Sequence, residues 1–316
     1  MIAAMGVAVG AITTALGILL NWLSGGQVDG ACETITYTQW LNVDGKLEAD
    51  LTVAKLTDER FLVVATDTMH RHVETWLRRG IGEAHAWVTD VTGAYAQINV
   101  QGPRSRELLQ TLTTADLSNA AFPFRTAREI DVGFARLWCV RITYVGELGY
   151  ELYIPVEQAV HVYERLVEAG AKFGLRHVGL KALNSLRLEK GYRDYGHDLD
   201  NTDGPLETGL GFALDHKKPG GFLGKDAVLA RKAAGPLRQR LVQGRVLDPE
   251  PLLFHAEVLW CNGRRAGYVR SGSYGFTLGG AVGLAMVEAE VAIDQAWLDG
   301  QSWELEIAGQ RWPAVC

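Results

Sequence analysis

No two cysteines of this chain lie close enough in sequence to form a C-x-x-C pair; Cys32, Cys139, Cys261 and Cys316 are each isolated. A zinc ribbon and a thioredoxin-type motif are thereby excluded, and the thiols read as unpaired groups in a reducing compartment. The eight histidines are equally scattered. His70 and His72 are two apart, which on a helix puts them on different faces, and no nearby cysteine completes a ligand set. No metal site is expected. Positive charge is not in excess either: the net charge is −6 and the pI about 5.8, whereas a nucleic-acid surface needs a basic patch. Arg125, Arg128 and Arg136 are spread along the chain, and the Lys217-Lys218 pair is expected to be a solvated turn.

Charge is missing altogether from residues 1 to 28, and Met1 to Leu23 is mostly Ala, Val, Ile, Leu and Gly. A run of that length can span a bilayer. However, no Lys or Arg precedes it as a signal segment requires, and Thr13, Thr14, Asn21 and the glycines Gly6, Gly10 and Gly17 interrupt it. A buried helix is therefore expected in preference to a membrane anchor, with Ala11, Ala15, Ile18, Leu19 and Trp22 at helical spacing. The rest is of ordinary globular composition, 47% hydrophobic and 22% charged over 316 residues, a length that implies two or three structural units.

What the sequence does contain is a repeated alternation of strands and helices. Thr34 to Leu41 is rich in β-branched and aromatic residues, Asp44-Gly45 marks a turn, and Ala49–Leu56 and Arg60–Thr66 continue an antiparallel meander. An amphipathic helix is expected over Asp67–Arg79, on His70, Val73, Trp76 and Leu77. Strands follow at Ala86–Val91 and Tyr95–Val100, then a helix carrying Leu108, Leu109 and Leu112, and strands at Ala135–Thr143 and Glu151–Pro155. Val156–Ala171 reads as a helix that buries Val160, Tyr163, Leu166 and Val167. Pairs of strands followed by one helix describe an α+β chain with split β-α-β units. From Gly235 the helical pattern stops, and short strands at Arg240, Ala256, Ala266 and Trp303 read as a small terminal β-barrel.

Two segments carry the candidate chemistry. In Tyr144-Val-Gly-Glu-Leu-Gly-Tyr-Glu151, a Gly-x-x-Gly spacing lets the backbone turn sharply against a ligand. Tyr144 and Glu151 flank that turn, and an aromatic face beside a carboxylate suits a flat, hydrogen-bonding heterocycle. Taken alone, the same residues describe a tight hairpin with a solvated glutamate. In Gly179 to Gly191, Leu183, Leu186 and Leu188 describe a buried helix with Gly191 as its C-terminal cap. Arg187 sits between two leucines there, so its guanidinium needs a partner. A ligand carboxylate, Glu151 or another structural carboxylate would each serve.

Together Tyr144 to Leu214 and Phe222-Leu-Gly-Lys-Asp-Ala-Val resemble the hallmark region of the glycine-cleavage T-protein (aminomethyltransferase) family. Tyr37-Thr-Gln-Trp-Leu-Asn, with Ala49-Asp-Leu-Thr-Val after it, resembles the family's folate-site strand pair, and Gly267 to Gly279 its barrel. Glu147 to Pro155 and Asp116 to Phe124 are most similar to one branch, the C-terminal folate-binding half of sarcosine and dimethylglycine dehydrogenases. The resemblance covers nearly all of the chain beyond about residue 11. It implies a three-domain cloverleaf: residues 1–52 with 140–234 as a discontinuous, N-terminally shortened folate-binding domain, 53–139 as an α+β domain, and 235–316 as the barrel. It further implies Asp50 as the catalytic carboxylate, with Tyr37, Tyr144, Glu151 and Arg187 binding tetrahydrofolate.

The chain departs from the dehydrogenase branch in having no Gly-x-Gly-x-x-Gly after a strand, so no FAD site and no oxidase activity are expected within it. The partners so implied are folate, a small amine methyl donor and a separate flavoprotein subunit or domain. Nucleic acid and membrane are not expected, and the compartment is cytoplasmic, or the mitochondrial matrix in a eukaryote. Relative to the family both ends read as shortened, the strands before the first helix being absent. The alternatives are a non-catalytic regulatory or truncated folate-fold protein, or a folate-dependent demethylase of another methyl donor. The related iron–sulfur assembly branch is set aside, because its cysteine motif is replaced here by Pro219-Gly-Gly-Phe-Leu-Gly.

Overall fold

The structure, a computed structural model, describes residues 2–8 and 13–316, with side chains from residue 16 onward. The chain divides into two compact units. The first comprises Met1–Leu41, Ala49–His177 and Ala213–Leu223; the second comprises Asn42–Glu48, Val178–Phe212 and Gly224–Cys316.

The first unit is built on two four-stranded sheets. One contains β1 (Ile2–Ala8), β2 (Thr34–Leu41), β3 (Leu47–Thr57) and β4 (Arg60–Thr66), in the order β1-β4-β3-β2. The other contains β5 (Tyr95–Gln101), β6 (Ala127–Val132), β7 (Ala135–Val140) and β8 (Gly149–Pro155), in the order β5-β8-β7-β6. Strand residues alternate between faces, and the alternation sorts these sheets cleanly. Ala49, Leu51 and Val53 of β3 and Phe61, Val63 and Ala65 of β4 pack against α1 (Thr13–Leu23) and α2 (His70–Ile81). Tyr150, Leu152 and Ile154 of β8 pack on the far side of the second sheet, against α3 (Ser105–Gln110) and α4 (Ala159–Gly170). The remaining faces meet each other, joined by Ile35, Ala54, Leu56, Leu62, Val64, Ala127, Val140 and Tyr153. The two sheets are therefore face to face, with helices outside both.

In the second unit, α5 (Leu180–Glu189) packs on a closed barrel whose strand order is β10-β11-β12-β9-β14-β13. The strands are β9 (Gln239–Val246), β10 (Val258–Cys261), β11 (Arg264–Gly275), β12 (Gly280–Glu288), β13 (Trp303–Ile307) and β14 (Gln310–Val315). Two further helices, α6 (Lys225–Ala233) and α7 (Gln295–Asp299), precede the barrel and interrupt it. Gly191 closes α5 as expected, at φ 64°, with the amides of Gly191 and Tyr192 returning to the carbonyls of Leu188 and Arg187 in a Schellman arrangement.

The α+β class and the terminal barrel stand. Several local expectations do not. A strand, β1, precedes the first helix and pairs antiparallel with β4. Strand β3 runs through residues 52–53, and both four-stranded sheets lie in the first compact unit. Helix α1 buries Leu16, Leu20 and Leu23, while Ile18 is 64% exposed; Ala11 and Ala15 lie outside the described side chains. That helix is apolar all round, so its pattern could not say which stripe faces inward. Similarly α4 buries Val162, Leu166 and Gly170, leaving Val160 68% exposed and Tyr163 exposed. Gly170 explains the rotation, because a Cβ there would lie 2.5 Å from the Leu175 side chain that packs over it. Residues 86–91 form no strand; the Asp90 carboxylate accepts from the Thr92 amide and turns the chain instead. No helix among the described residues is long and apolar enough to cross a membrane.

Lys217 and Lys218 also separate. Lys217 is exposed, but Lys218 is 2% exposed. Its ammonium donates to the carbonyls of Asn21, Ser24 and Gly26 at the C-terminal end of α1 and lies 5.5 Å from the centre of the Phe222 ring. A cation suits that position because helix C-termini leave carbonyls unpaired and carry partial negative charge.

Candidate functional site

Where the two sheets face each other, the apolar contact gives way to polar side chains. Tyr37 and Gln39 follow Ile35 at two-residue intervals on β2, and Asp50 precedes Ala54 and Leu56 by even intervals on β3. All three therefore lie on the face turned toward the second sheet. The Tyr37 hydroxyl donates to Asp50 Oδ2 at 2.9 Å and Gln39 Nε2 donates to Asp50 Oδ1 at 3.0 Å. One carboxylate is thus held from two directions, a donor on each oxygen. Gln39 was not singled out from the sequence; its signal was only its place two residues beyond Tyr37 on an alternating strand.

Glu151 shares its face of β8 with Tyr153, so it lies on the side of the second sheet turned toward the first. Across the strand pair it stands opposite Asn99 on β5, and Tyr153 stands opposite Gln97. The Tyr153 hydroxyl donates to Glu151 Oε2 at 2.7 Å, and Gln97 Nε2 donates to the Tyr153 oxygen at 3.3 Å. Burial pushes the Glu151 carboxyl above its ordinary range, and the hydrogen bonds from Tyr153 and Gln97 pull it partly back. The Tyr153 hydroxyl is itself held well above its ordinary value, by burial first and by the adjacent carboxylate second. Tyr144 lies half-buried between β7 and β8, on the stretch leading to Glu151.

The Gly-x-x-Gly turn has a different cause from the one expected. Gly146 adopts φ 70°, which favours glycine. At Gly149 a Cβ would lie 1.6 Å from Gln101 Oε1, so the missing side chain accommodates a neighbouring side chain of the same unit.

Arg187 lies in the second unit, 1% exposed, and its guanidinium is taken up there. It donates to Asn184 Oδ1 at 2.8 Å, to the Tyr192 carbonyl at 2.9 Å and to the fully buried Asp198 carboxylate. Of the partners left open by the sequence, the structural carboxylate is the one present. Arg270 and Asp203 extend this network: Arg270 donates to both Asp203 oxygens and to the Asp198 carbonyl. Also in the second unit, a cleft of about 510 Å³ is lined by Lys46, Glu207, Arg231, Arg238 and Glu288 among others. It combines equal numbers of both charges, and its Arg231–Glu207 pair is internal at 2.6 Å.

Two helix-backed antiparallel sheets, a buried polar cluster between them and a closed terminal barrel place the chain in the class of the aminomethyltransferase fold. The crystal structure of glycine cleavage system aminomethyltransferase T from Bartonella henselae matches 99% of this chain and 82% of its own, with a TM-score of 0.84 at 23% identity, a likeness of fold. The GCVT N-terminal domain matches residues 15–218, and the glycine cleavage T-protein C-terminal barrel domain matches residues 239–316. The chain belongs to the glycine cleavage T-protein family. Among its relatives, the 4-methylaminobutanoate oxidase (formaldehyde-forming) of Paenarthrobacter nicotinovorans is 40% identical, over 91% of this chain and 34% of its own length. Mitochondrial sarcosine dehydrogenase of Homo sapiens is 37% identical, over 82% of this chain and 30% of its own. The chain thus spans about a third of the length of these two relatives.

Proposed function

We propose that the chain is a tetrahydrofolate-dependent one-carbon transfer module that receives an aminomethyl or methylene unit from a small amine methyl donor. The observation that carries this reading is Asp50, clamped by Tyr37 and Gln39 on one sheet face while Glu151 lies on the face opposite. The residues present fit a reduced pterin. Such a ring is flat and rich in N–H donors, so its partner must supply acceptors in a water-poor setting. Asp50 and Glu151 supply carboxyl oxygens, and Tyr37 and Tyr144 supply aromatic faces.

When bound, tetrahydrofolate supplies a nucleophilic ring nitrogen that takes up the one-carbon unit. Asp50, held by Tyr37 and Gln39, is placed to accept a proton at one of its carboxylate oxygens. Its charge also complements a cationic imine donor, and a fixed anion in a low-dielectric setting stabilises such charge more strongly than water does. Glu151 holds the ring edge, acting through a carboxyl whose proton is retained to higher pH by burial. In this reading Arg187 shapes the second unit through Asp198 and does not touch folate. Oxidation of the amine falls to a flavoprotein subunit or domain, so that this chain acts as the folate half of a sarcosine- or dimethylglycine-type demethylating system.

Calorimetric titration with tetrahydrofolate tests this. Saturable binding by the wild type, reduced at least tenfold in Asp50→Ala, is the expected result. Absence of binding by well-folded wild-type protein would sink the reading.

A further inference from the structure

Gln39 is fully buried on β2, yet it is an amide where an apolar side chain would fill the space without penalty. Its neighbours in sequence and on its own face include Trp40 and Ile35, both buried. A carboxylate can only accept hydrogen bonds when ionised, so the end of the amide that faces Asp50 is Nε2, and the buried end without a partner among the described residues is Oε1. An unmet buried carbonyl is a standing desolvation penalty. The compensation visible on the page is what the other end does: it donates to Asp50 Oδ1 at 3.0 Å, while Tyr37 occupies Oδ2.

We propose that Gln39 is a positioning residue for Asp50, fixing the plane of its carboxylate and favouring its ionised form. This rests on the reading of Asp50 as the reacting carboxylate. Gln39 acts through Asp50 rather than on the ligand, because at 0% exposure it presents nothing to an incoming molecule. Tyr37, which is half-buried, is the outer donor of the pair and Gln39 the inner one. Hydrogen bonds to a carboxylate favour its charged state, so loss of the inner donor raises the pH at which Asp50 gives up its proton.

The test uses the full chain with carboxyl-labelled aspartate, the Asp50 resonance being assigned by its loss in Asp50→Asn. Gln39→Leu removes the donor, and Gln39→Glu keeps the shape while setting a second carboxyl against the first. In Gln39→Leu the Asp50 titration is expected to move up by about one pH unit, the scale of one lost hydrogen bond to a charged group. The acid limb of one-carbon transfer should move with it, kcat falling more than KM rises. In Gln39→Glu the two carboxyls are expected to titrate in two separated steps. An Asp50 titration unchanged in folded Gln39→Leu overturns the proposal; if that variant does not fold, an unchanged Asp50 titration in Gln39→Glu overturns it instead. If the titration moves but even wild type binds no tetrahydrofolate, the positioning role stands and the folate reading falls.

Discussion

Replacing Lys218 by methionine removes one ammonium and leaves the carbonyls of Asn21, Ser24 and Gly26 facing an apolar group. The stem is kept, so the loss isolates the charge and its hydrogen bonds. Each buried carbonyl deprived of its donor costs about 1–3 kcal/mol. Over the three carbonyls that range sums to about 3–9 kcal/mol. One circumstance moderates the sum: the Leu223 amide still caps the Trp22 carbonyl at 2.9 Å. We therefore expect a loss of about 3 kcal/mol, taking the net cost near the lower end of that range. At about 2–4 °C per kcal/mol, the melting transition falls by about 6–12 °C. Urea unfolding followed by far-ultraviolet circular dichroism measures the loss directly, with Lys217→Met as the control. Lys217 is exposed, and its replacement should stay within about 0.5 kcal/mol of wild type. A loss below about 1 kcal/mol for Lys218→Met would refute the claim that this ammonium anchors α1.

Three further outcomes follow from the same reasoning. Glu151 keeps its proton longer in the folded than in the unfolded chain, so folded protein binds more protons above the ordinary carboxylate range and stability falls as pH rises through that window. Glu151→Gln should therefore gain stability relative to wild type between pH 4.5 and 7, checked by urea midpoints across that range; a constant difference contradicts the burial argument. Asp198→Ala strands Arg187 and should destabilise the second unit by about 3–5 kcal/mol, read as a lowered melting temperature. Gly149→Ala displaces the amide end of the flexible Gln101 side chain and should lose under about 1 kcal/mol, a loss absent when Gln101→Ala is added; a loss that persists in the double variant would mean the glycine serves something other than that side chain.

The architecture was legible wherever one face of an element is wet. Strands β2, β3, β5 and β7 and helix α2 alternate or repeat with the right period, because one side lies against a core and the other carries polar or partly exposed side chains, whereas β4 and β8, buried on both faces, were legible only as short β-branched and aromatic runs. Legibility failed where that contrast disappears. Strand β12 is buried along nearly its whole length, between β11 and β9 with α5 packed over it, so it shows no alternation. Helices α1 and α4 each carry two apolar stripes, and only the shape of the neighbouring surface selects one. Strand β6 was hidden by its charges, although Arg128 and Glu129 pair with Glu33 and Arg136.

For the site, Asp50 and Tyr37 were recognisable from the motif, and the structure brings them into direct contact. Gln39 could not be found, because nothing in a strand sequence distinguishes a buried amide from a solvated one. Lys218 was misread for the same reason: its partners are backbone carbonyls nearly two hundred positions away. Arg187 was recognised as buried and in need of a partner, but Asp198, eleven residues on, is not on its helix.

The central claim is that the facing sides of the two sheets in the first unit are where folate binds. Amide hydrogen exchange with and without tetrahydrofolate tests it directly. The account predicts slowed exchange in β2, β3, β5 and the segment from Tyr144 through β8, and no such slowing in Asp50→Ala. Protection confined to the charged cleft around Lys46, Arg231 and Arg238, or no protection in a folded wild-type chain, would contradict it.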